Sequence, residues 1–240
     1  MSDGAIENGL NFLHRCRSPL PFIPLQTLRS PILGLEVEDW GMTTYRYSWI
    51  GVDDPSRNDL AQVDFSDGGM RAAGSSMARS YATSWTLDVD SYWHTRRIVV
   101  TSIGEGWSRH LDLNRSQSGE WSSEASSQGD VDLAAPGIVN GVDLSGALDC
   151  DLGKCPLTNV MPIRRLGLLQ GDVPETPLVM AWIEVPSLRV VRSDQVYGSG
   201  STLGSVRYTS YSRDFSAELT VDPCGIVVDY PNLATRADNI

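Results

Sequence analysis

The stretch that decides the fold is DCDLGKCPLTNVMPIRRLG, residues 149–167, in which two acids and two arginines flank a polar turn inside otherwise apolar sequence. Side chains along a β-strand alternate between its two faces, so Asp149 and Asp151 are predicted to share one face of a short strand. The turn that follows is predicted to become helical and to carry Arg164 and Arg165. An acidic strand is therefore expected to meet a basic helical turn, with the opposite charges close together.

The middle of this stretch fits a helix start, because Thr158 and Asn159 are residue types that cap helices and Pro162 is tolerated in a first turn. Three interpretations of the charges remain open. One is a structural network of ion pairs that holds the turn against a sheet, since buried charges persist when they are paired. Another is a polar patch that holds the head group of a ligand. A third is a calcium loop, although the third carboxylate and the distal Glu of such a loop are missing.

Alternation of apolar and polar residues predicts strands on both sides of this stretch. The clearest is 81–90, in which the odd-numbered residues from Tyr81 to Val89 are predicted to face a dry side and the even-numbered residues to face water. A hairpin is predicted from 93–103 and 107–114, which are separated by a glycine-containing break. Further strands are predicted at 45–49, 178–186, 189–197, 206–211, 215–221 and 226–230.

Residues 51–76 and 116–130 are rich in turn-forming residues and are predicted to be loops. Short breaks between strands favour an antiparallel meander, and the sequence has little helical periodicity to cover such a sheet. A large sheet with one apolar face must curl. We therefore predict a mainly β fold, a single curved antiparallel sheet that forms an open or half barrel with few short helices and a concave side lined by Trp and Leu.

Residues 1–38 differ from the rest of the chain. Four prolines follow one another between positions 19 and 31, which excludes a regular helix or a central strand there. We predict that 1–38 is a Pro-rich N-terminal extension with a short helix over 5–14. Residues 39–240 are then predicted to form a single β domain.

The charge of the chain limits its partners. A formal net charge of -11 and a pI near 4.6 argue against nucleic acid and against an anionic bilayer surface, which both require clustered Lys and Arg. Lys154 is the single lysine, so basic character is almost wholly Arg, which suits planar bidentate contacts. No apolar run is long enough to cross a bilayer, and the start of the chain does not resemble a secretory signal, so we expect a cytoplasmic protein.

The cysteines and histidines do not suggest a metal site. Cys16, Cys150, Cys155 and Cys224, together with three histidines, show no spacing typical of zinc, and we expect neither metal nor cofactor. Buried free thiols are the simplest interpretation of the cysteines. A disulfide between Cys150 and Cys155 stays open, because only a short turn separates them, and such a bond would favour an oxidising compartment.

The sequence has no recognisable pairing of a nucleophile with a base, and no Gly-x-Ser-x-Gly elbow occurs. The Gly-Ser run at 198–204 is predicted to be a hairpin turn, since a phosphate-binding loop needs a helix to follow it. His94 and His110 lie on predicted strands, where structural histidines are commoner than a catalytic pair. Trp93 is compatible with the rim of a cavity, whereas the other tryptophans in strands fit a core.

Several runs, in order along the chain, resemble the signature of a known family. They are Tyr92–Arg96, Leu148–Leu152, Pro156–Asn159, Pro162–Leu166, Gln195-x-Tyr197, Val221-Asp222 and Asp229–Pro231. Over residues 40–236 the chain is similar to the putative glycolipid-binding family. This resemblance implies an open antiparallel barrel similar to bacterial lipoprotein carriers and lipid-binding lipoproteins.

We predict a ligand-binding role for residues that match the family's motif. They are Trp93, Thr95, Arg96, Asp149, Asp151, Thr158, Asn159, Arg164, Arg165, Gln195 and Tyr197. We expect a non-enzymatic carrier or sensor that holds the acyl chain of a glycolipid or another amphipathic small molecule in the concave side, with its polar head group near the arginines. One alternative is a hydrolase of a lipid or sugar ester with Asp149 or Asp151 as acid or base. Another is a structural, partner-binding module, which a filled concave side would favour.

Overall fold

A computed structural model describes residues 44–237, and these residues contain a sheet of fifteen strands. The predicted N-terminal extension over 1–38 and its short helix over 5–14 lie outside the described residues. The division of the chain at residue 39 stays a prediction. No helix within the described range is long and apolar enough to cross a membrane.

The elements follow one another in this order. The strands are β1 (Thr44–Gly51), β2 (Asn58–Ser66), β3 (Gly69–Met77), β4 (Tyr81–Asp90), β5 (Thr95–Gly104), β6 (Trp107–Arg115), β7 (Trp121–Gln128), β8 (Gly137–Ile138), β9 (Asp149–Leu152), β10 (Thr176–Ile183), β11 (Arg189–Ser199), β12 (Ser205–Ser210), β13 (Phe215–Val221), β14 (Val227–Tyr230) and β15 (Ala234–Arg236). The helical elements are the 3-10 helices η1 (Pro156–Asn159), η2 (Leu168–Gln170) and η3 (Tyr211–Arg213) and the single described α-helix, α1 (Val160–Arg165).

The sheet consists of two meanders joined where β1 pairs with β15. Its order is β7-β6-β5-β4-β3-β2-β1-β15-β14-β13-β12-β11-β10-β9, so it stays open between β7 and β9. Neighbours along this path are antiparallel except β9 and β10, and β8 adds a second parallel pair by joining β11. The predicted curved, open antiparallel sheet is confirmed, with two parallel pairings that the sequence analysis did not include.

The pattern of β4 shows why these residues form a sheet with one dry face. Thr83, Trp85, Leu87 and Val89 are buried, whereas the even-numbered residues 84, 86 and 88 between them are exposed. This is the predicted alternation, and β6 continues it with buried residues at every second position. The hairpins β5–β6 and β11–β12 are also confirmed.

Two regions predicted to be loops are strands. Most of 51–76 forms β2 and β3, and much of 116–130 forms β7. In β3 only Met70 puts a large side chain on the dry face, which continues with Ala72 and Gly74. Gly74 leaves room for the indole of Trp85, since an added Cβ would come 2.3 Å from that ring. Strand β7 is mostly exposed, so it has no apolar face to recognise. Periodicity of large apolar residues therefore detects neither region.

The concave side of the sheet is filled. Leu157, Val160, Met161 and Ile163, from η1 and α1, are all fully buried and pack into two apolar clusters that together include strands of both meanders. A cavity of about 20 Å³ lies between Trp49 and the residues near 155, which is room for about one water molecule. A second, open depression of about 230 Å³ is lined mainly by exposed polar side chains of β2, β3 and β4, such as Gln62, Arg71 and Thr86. Within the described residues, apolar side chains of the helical turn thus occupy the place where a hollow for an acyl chain was predicted.

Candidate functional site

Strand β9 and helix α1 meet through a buried ion pair. Arg165 donates from Nη1 to Oδ1 of Asp149 at 2.6 Å and to the main-chain oxygen of Trp93 at 3.2 Å. The side chains of Asp149 and Arg165 are 1% and 13% exposed. An acidic strand does meet a basic helical turn as predicted, and the pair also holds the turn between β4 and β5.

That turn is organised by Asp90, the last residue of β4. Its Oδ1 accepts hydrogen bonds from the main-chain N–H groups of Tyr92 (2.9 Å) and His94 (3.0 Å), and its Oδ2 lies 2.7 Å from Nη2 of Arg96. Trp93 between them has φ of 63°, a left-handed conformation that is costly for a bulky side chain. Such strain persists only where surrounding contacts enforce it, and here Asp90 and Arg165 supply them.

The indole of Trp93 carries a cation on one face. The guanidinium of Arg164 lies 4.4 Å from the centre of that ring and donates from Nη1 to the main-chain oxygen of Cys224 at 3.0 Å. Burial lowers the pKa of Arg164, although an arginine stays charged at neutral pH. Arg164 therefore packs against the fold through a cation–π contact, while its neighbour Arg165 faces Asp149.

Two acids and three arginines converge here, and we call Asp90, Arg96, Arg115, Asp149 and Arg165 the Asp149 cluster. Burial raises the pKa of the Asp149 carboxyl, and the charges of Arg165 and Arg115 oppose that rise. Burial lowers the pKa of Arg115, and the charge of Arg96 lowers it further. The position of Arg115 beside this group is set by its Nε, which donates to the main-chain oxygen of Ala147 at 3.1 Å, two residues before Asp149.

The Asp149 cluster contains unused hydrogen-bonding groups. Three buried atoms of the cluster have no hydrogen-bond partner among the described residues: Oδ2 of Asp149, Oδ2 of Asp90 and Nη1 of Arg96. Leaving such a group unpaired costs roughly 1–3 kcal/mol, more when it is charged. Beside them Tyr92 is 72% exposed, with its ring 6.1 Å from that of His94 at 27° between the planes. The cluster thus offers two carboxylate acceptors, one guanidinium donor and an exposed aromatic ring.

The second acid of β9 lies in a different environment, which we call the Asp151 cluster: Asp151, Thr158, Gln195 and Arg213. Oδ1 of Asp151 accepts from Oγ1 of Thr158 at 3.2 Å, and Oδ2 accepts from Nε2 of Gln195 at 2.7 Å. Nη2 of Arg213 adds an ion pair at 3.5 Å. Both oxygens of this carboxylate are therefore partnered, although Oε1 of Gln195 is not.

The predicted helix cap is wrong in its detail. Helix α1 begins without a side-chain capping hydrogen bond, because Thr158 and Asn159 lie in the preceding 3-10 helix and bond elsewhere. Oδ1 of Asn159 accepts from the hydroxyl of Tyr197 at 2.9 Å, and its Nδ2 donates to the main-chain oxygen of Pro156 at 3.1 Å. These residues connect the helical turn to β11 and leave both side chains buried.

Thr95 links β5 to β9 and its preceding residue by two hydrogen bonds. Its main-chain N–H donates to Leu148 at 3.1 Å, and its Oγ1 accepts from the main-chain N–H of Cys150 at 3.0 Å. Cys150 and Cys155 are free thiols, and burial raises the pKa of Cys155 to about 12. Cys224 is disulfide-bonded, so the expectation of free thiols is wrong for that residue.

The eleven predicted residues thus fall into separate groups. Trp93, Arg96, Asp149 and Arg165 come together around Asp149, with Thr95 and Arg164 packed beside them. The others, Asp151, Thr158, Asn159, Gln195 and Tyr197, form the second group.

Sequence analysis missed three charged members of these groups. Arg115 continues the alternation of β6 by one step, which was a usable signal. Asp90 at the end of a strand is typical of a turn that its side chain organises. Arg213 lies in the 3-10 helix η3, and no sequence pattern indicates its contact with Asp151.

Comparison with known proteins agrees with this fold. A crystal structure of a DUF1089 family protein from Pseudomonas aeruginosa is similar, with a TM-score of 0.55 and 24% sequence identity over 91% of this chain and all of that one. This likeness concerns the fold alone. Among curated proteins none matches. The family model described as putative glycolipid-binding matches residues 47–236. Because that match spans most of the chain, the protein belongs to the putative glycolipid-binding family.

Proposed function

We propose that this protein is a non-enzymatic binder of glycolipids that takes the sugar head group at the Asp149 cluster. The observation that carries this proposal is a set of buried atoms without a hydrogen-bond partner among the described residues, chiefly Oδ2 of Asp149 and Nη1 of Arg96 and also Oδ2 of Asp90, near the exposed ring of Tyr92. A carboxylate oxygen needs a donor and a guanidinium N–H needs an acceptor. A sugar hydroxyl supplies both.

The exposed aromatic ring supports a sugar over a simple alcohol. One face of a sugar ring presents mainly C–H groups, which can pack on a flat aromatic surface while the hydroxyls reach polar partners. Tyr92 combines an apolar ring with a polar tip and is held in place by the Asp90 hydrogen bond to its N–H. The arrangement is therefore suited to a ligand that is apolar on one face and polar at its rim.

The acyl chains are proposed to stay outside the sheet. Expelling Leu157, Val160, Met161 and Ile163 to make room would cost about 6–12 kcal/mol, at about 1.5–3 kcal/mol for each buried side chain. A chain of roughly sixteen carbons gains on the order of 12 kcal/mol when it leaves water, but it gains nothing when it leaves a bilayer. Recognition of the head group at the bilayer surface therefore needs no hollow in the protein.

Binding to vesicles tests this proposal. Phosphatidylcholine vesicles with and without a monoglycosyl diacylglycerol are titrated with the protein, and we expect binding only when the sugar is present. Arg96→Gln and Asp149→Asn are each expected to weaken that binding. Arg97→Gln is the matched control, since Arg97 is the next residue along β5, is exposed and pairs with Asp112. Equal binding to both kinds of vesicle, or none to either, would contradict the proposal.

A hydrolase remains the second candidate, because burial raises the pKa of Asp149 and a general acid must hold its proton near neutral pH. The test is turnover of lipid and sugar esters. If Asp149→Asn abolishes turnover with an unchanged melting temperature, Asp149 acts in catalysis. If no ester is turned over by the unchanged protein, this candidate fails.

A partner-binding module is the third candidate, and the filled concave side favours it. In that case both charge clusters serve only to hold α1 against the sheet. Asp149→Asn would then lower stability, and no glycolipid would bind to the unchanged protein.

A further inference from the structure

We propose that the head group is an acidic sugar, whose oxyanion is taken by Arg96 and Arg115 and whose hydroxyl donates to Oδ2 of Asp149. This inference rests on the proposed function, because it names the ligand of the same site. It concerns the chemistry of the ligand and the residues that distinguish it from a neutral sugar.

The pairing of charges leaves one arginine over. Arg165 pairs with Asp149 at 2.6 Å, and Arg96 lies 2.7 Å from Asp90. Arg115 donates from Nε to the main-chain oxygen of Ala147 at 3.1 Å, and no carboxylate among the described residues lies within ion-pair distance of it. Three arginines against two acids make the Asp149 cluster formally positive, within a chain of formal net charge -11.

His94 does not alter this balance. Its Nδ1 lies 3.9 Å from Oδ2 of Asp90, and burial lowers its pKa, with the nearby arginines adding to that effect. The imidazole is therefore neutral at pH 7. The excess positive charge at the site comes from arginine alone.

The buried atoms without a hydrogen-bond partner require both an acceptor and a donor from one ligand. Nη1 of Arg96 is buried and needs an acceptor, and guanidinium groups bind carboxylates and phosphates through paired, charge-assisted hydrogen bonds. Oδ2 of Asp149 is buried and needs a donor. A simple anion would repel that carboxylate, and a neutral sugar would leave Arg115 without a counter-charge. An oxyanion on a hydroxylated ring satisfies both groups.

The net charge of the protein acts against this ligand only at long range. Between exposed charges the interaction is largely screened beyond about 8 Å at physiological ionic strength. The arginines of the Asp149 cluster are partly buried, so their attraction at contact distance is screened less. The local attraction therefore decides which head group is held.

A matched pair of ligands tests the inference. Phosphatidylcholine vesicles carry either a glucosyl or a glucuronosyl diacylglycerol, which differ by a carboxylate. We expect the acidic lipid to bind about tenfold tighter or more. Arg115→Gln should abolish this preference, measured as the ratio of the two affinities, because it removes the excess positive charge. The variant should keep its fold, since Nε1 of Trp121 also donates to the oxygen of Ala147 and keeps that carbonyl partnered. Arg97→Gln should leave the preference unchanged.

If the two lipids bind equally, or the neutral one binds tighter, the acidic-sugar inference is overturned and the proposed function stands. If neither binds, the proposed function fails. Binding to phosphatidylglycerol vesicles that lack sugar would also overturn the inference, because any anion would then suffice. Soluble methyl glucuronide and glucose 6-phosphate separate a lipid-borne ligand from a free acidic sugar: weak binding of both supports the lipid, and binding as tight as that of the lipid overturns its role.

Discussion

Asp149 and Asp151 lie two positions apart on β9, yet their carboxylates are used differently. Asp149 is fully buried, and among residues 44–237 it has Arg165 as its one ion-pair partner and no hydrogen bond to Oδ2. Asp151 is half-buried, and both of its oxygens are partnered within the fold. Burial alone does not distinguish an architectural acid from one that faces a ligand. The proposed binding role of Asp149 is based instead on its incomplete hydrogen bonding among the described residues, whereas both oxygens of Asp151 have partners.

The largest expected loss of stability follows from removing Arg165, the ion-pair partner of the buried Asp149. Arg165→Met removes the partner of a buried carboxylate, and we expect the free energy of unfolding to fall by about 3–5 kcal/mol. Urea denaturation measures it. The control is Arg192→Met, because Arg192 pairs with Asp194 on the surface with side chains 35% and 52% exposed, and such pairs contribute about 0–1 kcal/mol. Similar losses in the two variants would show that the Asp149 pair is not special.

A smaller loss of stability is expected when Asp151 is changed. Asp151→Asn keeps an oxygen for Thr158 but presents an amide to Gln195 and Arg213, and we expect a loss of about 1.5–3 kcal/mol, typical of hydrogen bonds to a charged group. Binding to glycolipid vesicles should not change, since Asp151 has no free oxygen. If Asp151→Asn weakens binding as much as Asp149→Asn does, the distinction between the two acids is wrong.

The pH dependence of stability sharpens the comparison further. Burial raises the folded-state pKa of Asp149 above its unfolded value near 4. The folded state then binds more protons than the unfolded state above that pH, so this residue makes stability fall as pH rises through the window. Asp149→Asn should lack this contribution. Denaturation midpoints of both proteins across pH check it, and identical slopes would contradict the raised pKa. Burial likewise raises the pKa of Asp59, but that effect is common to both proteins.

The smallest effect on stability is expected at the exposed edge of the site. Tyr92 is 72% exposed, so Tyr92→Ala should change the free energy of unfolding by no more than about 0.5 kcal/mol. Loss of its ring should still weaken glycolipid binding severalfold. Tyr211→Ala, at a residue that is 69% exposed in η3 and is not a member of the Asp149 cluster, is the matched control. Equal binding by the two variants would remove Tyr92 from the site.

Much of the sheet could be predicted because large apolar residues alternate with polar ones. Strand β4 is the best example, since its buried and exposed residues follow the predicted order. Strand β3 was missed because Ala72 and Gly74 take positions that large apolar residues would otherwise mark, and the bulk comes from Trp85 on the neighbouring strand. A dry face made of small residues is defined only by the strand that packs beside it.

The candidate site was predicted in part. Opposite charges at positions 149 and 165 meet, as the acidic strand and basic turn suggested. The different fates of Asp149 and Asp151 could not be predicted, because both occupy equivalent positions in the sequence pattern. Gln195, which donates to Asp151, and Arg115, whose charge acts on Asp149, come from distant strands that only the folded sheet brings near. The same turn also hides apolar residues that fill the concave side, which a focus on its charges overlooked.

The open seam of the sheet gives ligand binding a mechanical consequence. Arg96 extends from β5 in one meander, whereas Asp149 lies on β9 at the far end of the other. A head group held by both residues would link the two meanders across the opening of the sheet. Because it binds only the assembled arrangement, it would raise the free energy of unfolding with the logarithm of its concentration once that exceeds the dissociation constant. A rise in the melting temperature with a soluble sugar would then show that the ligand holds the two meanders together.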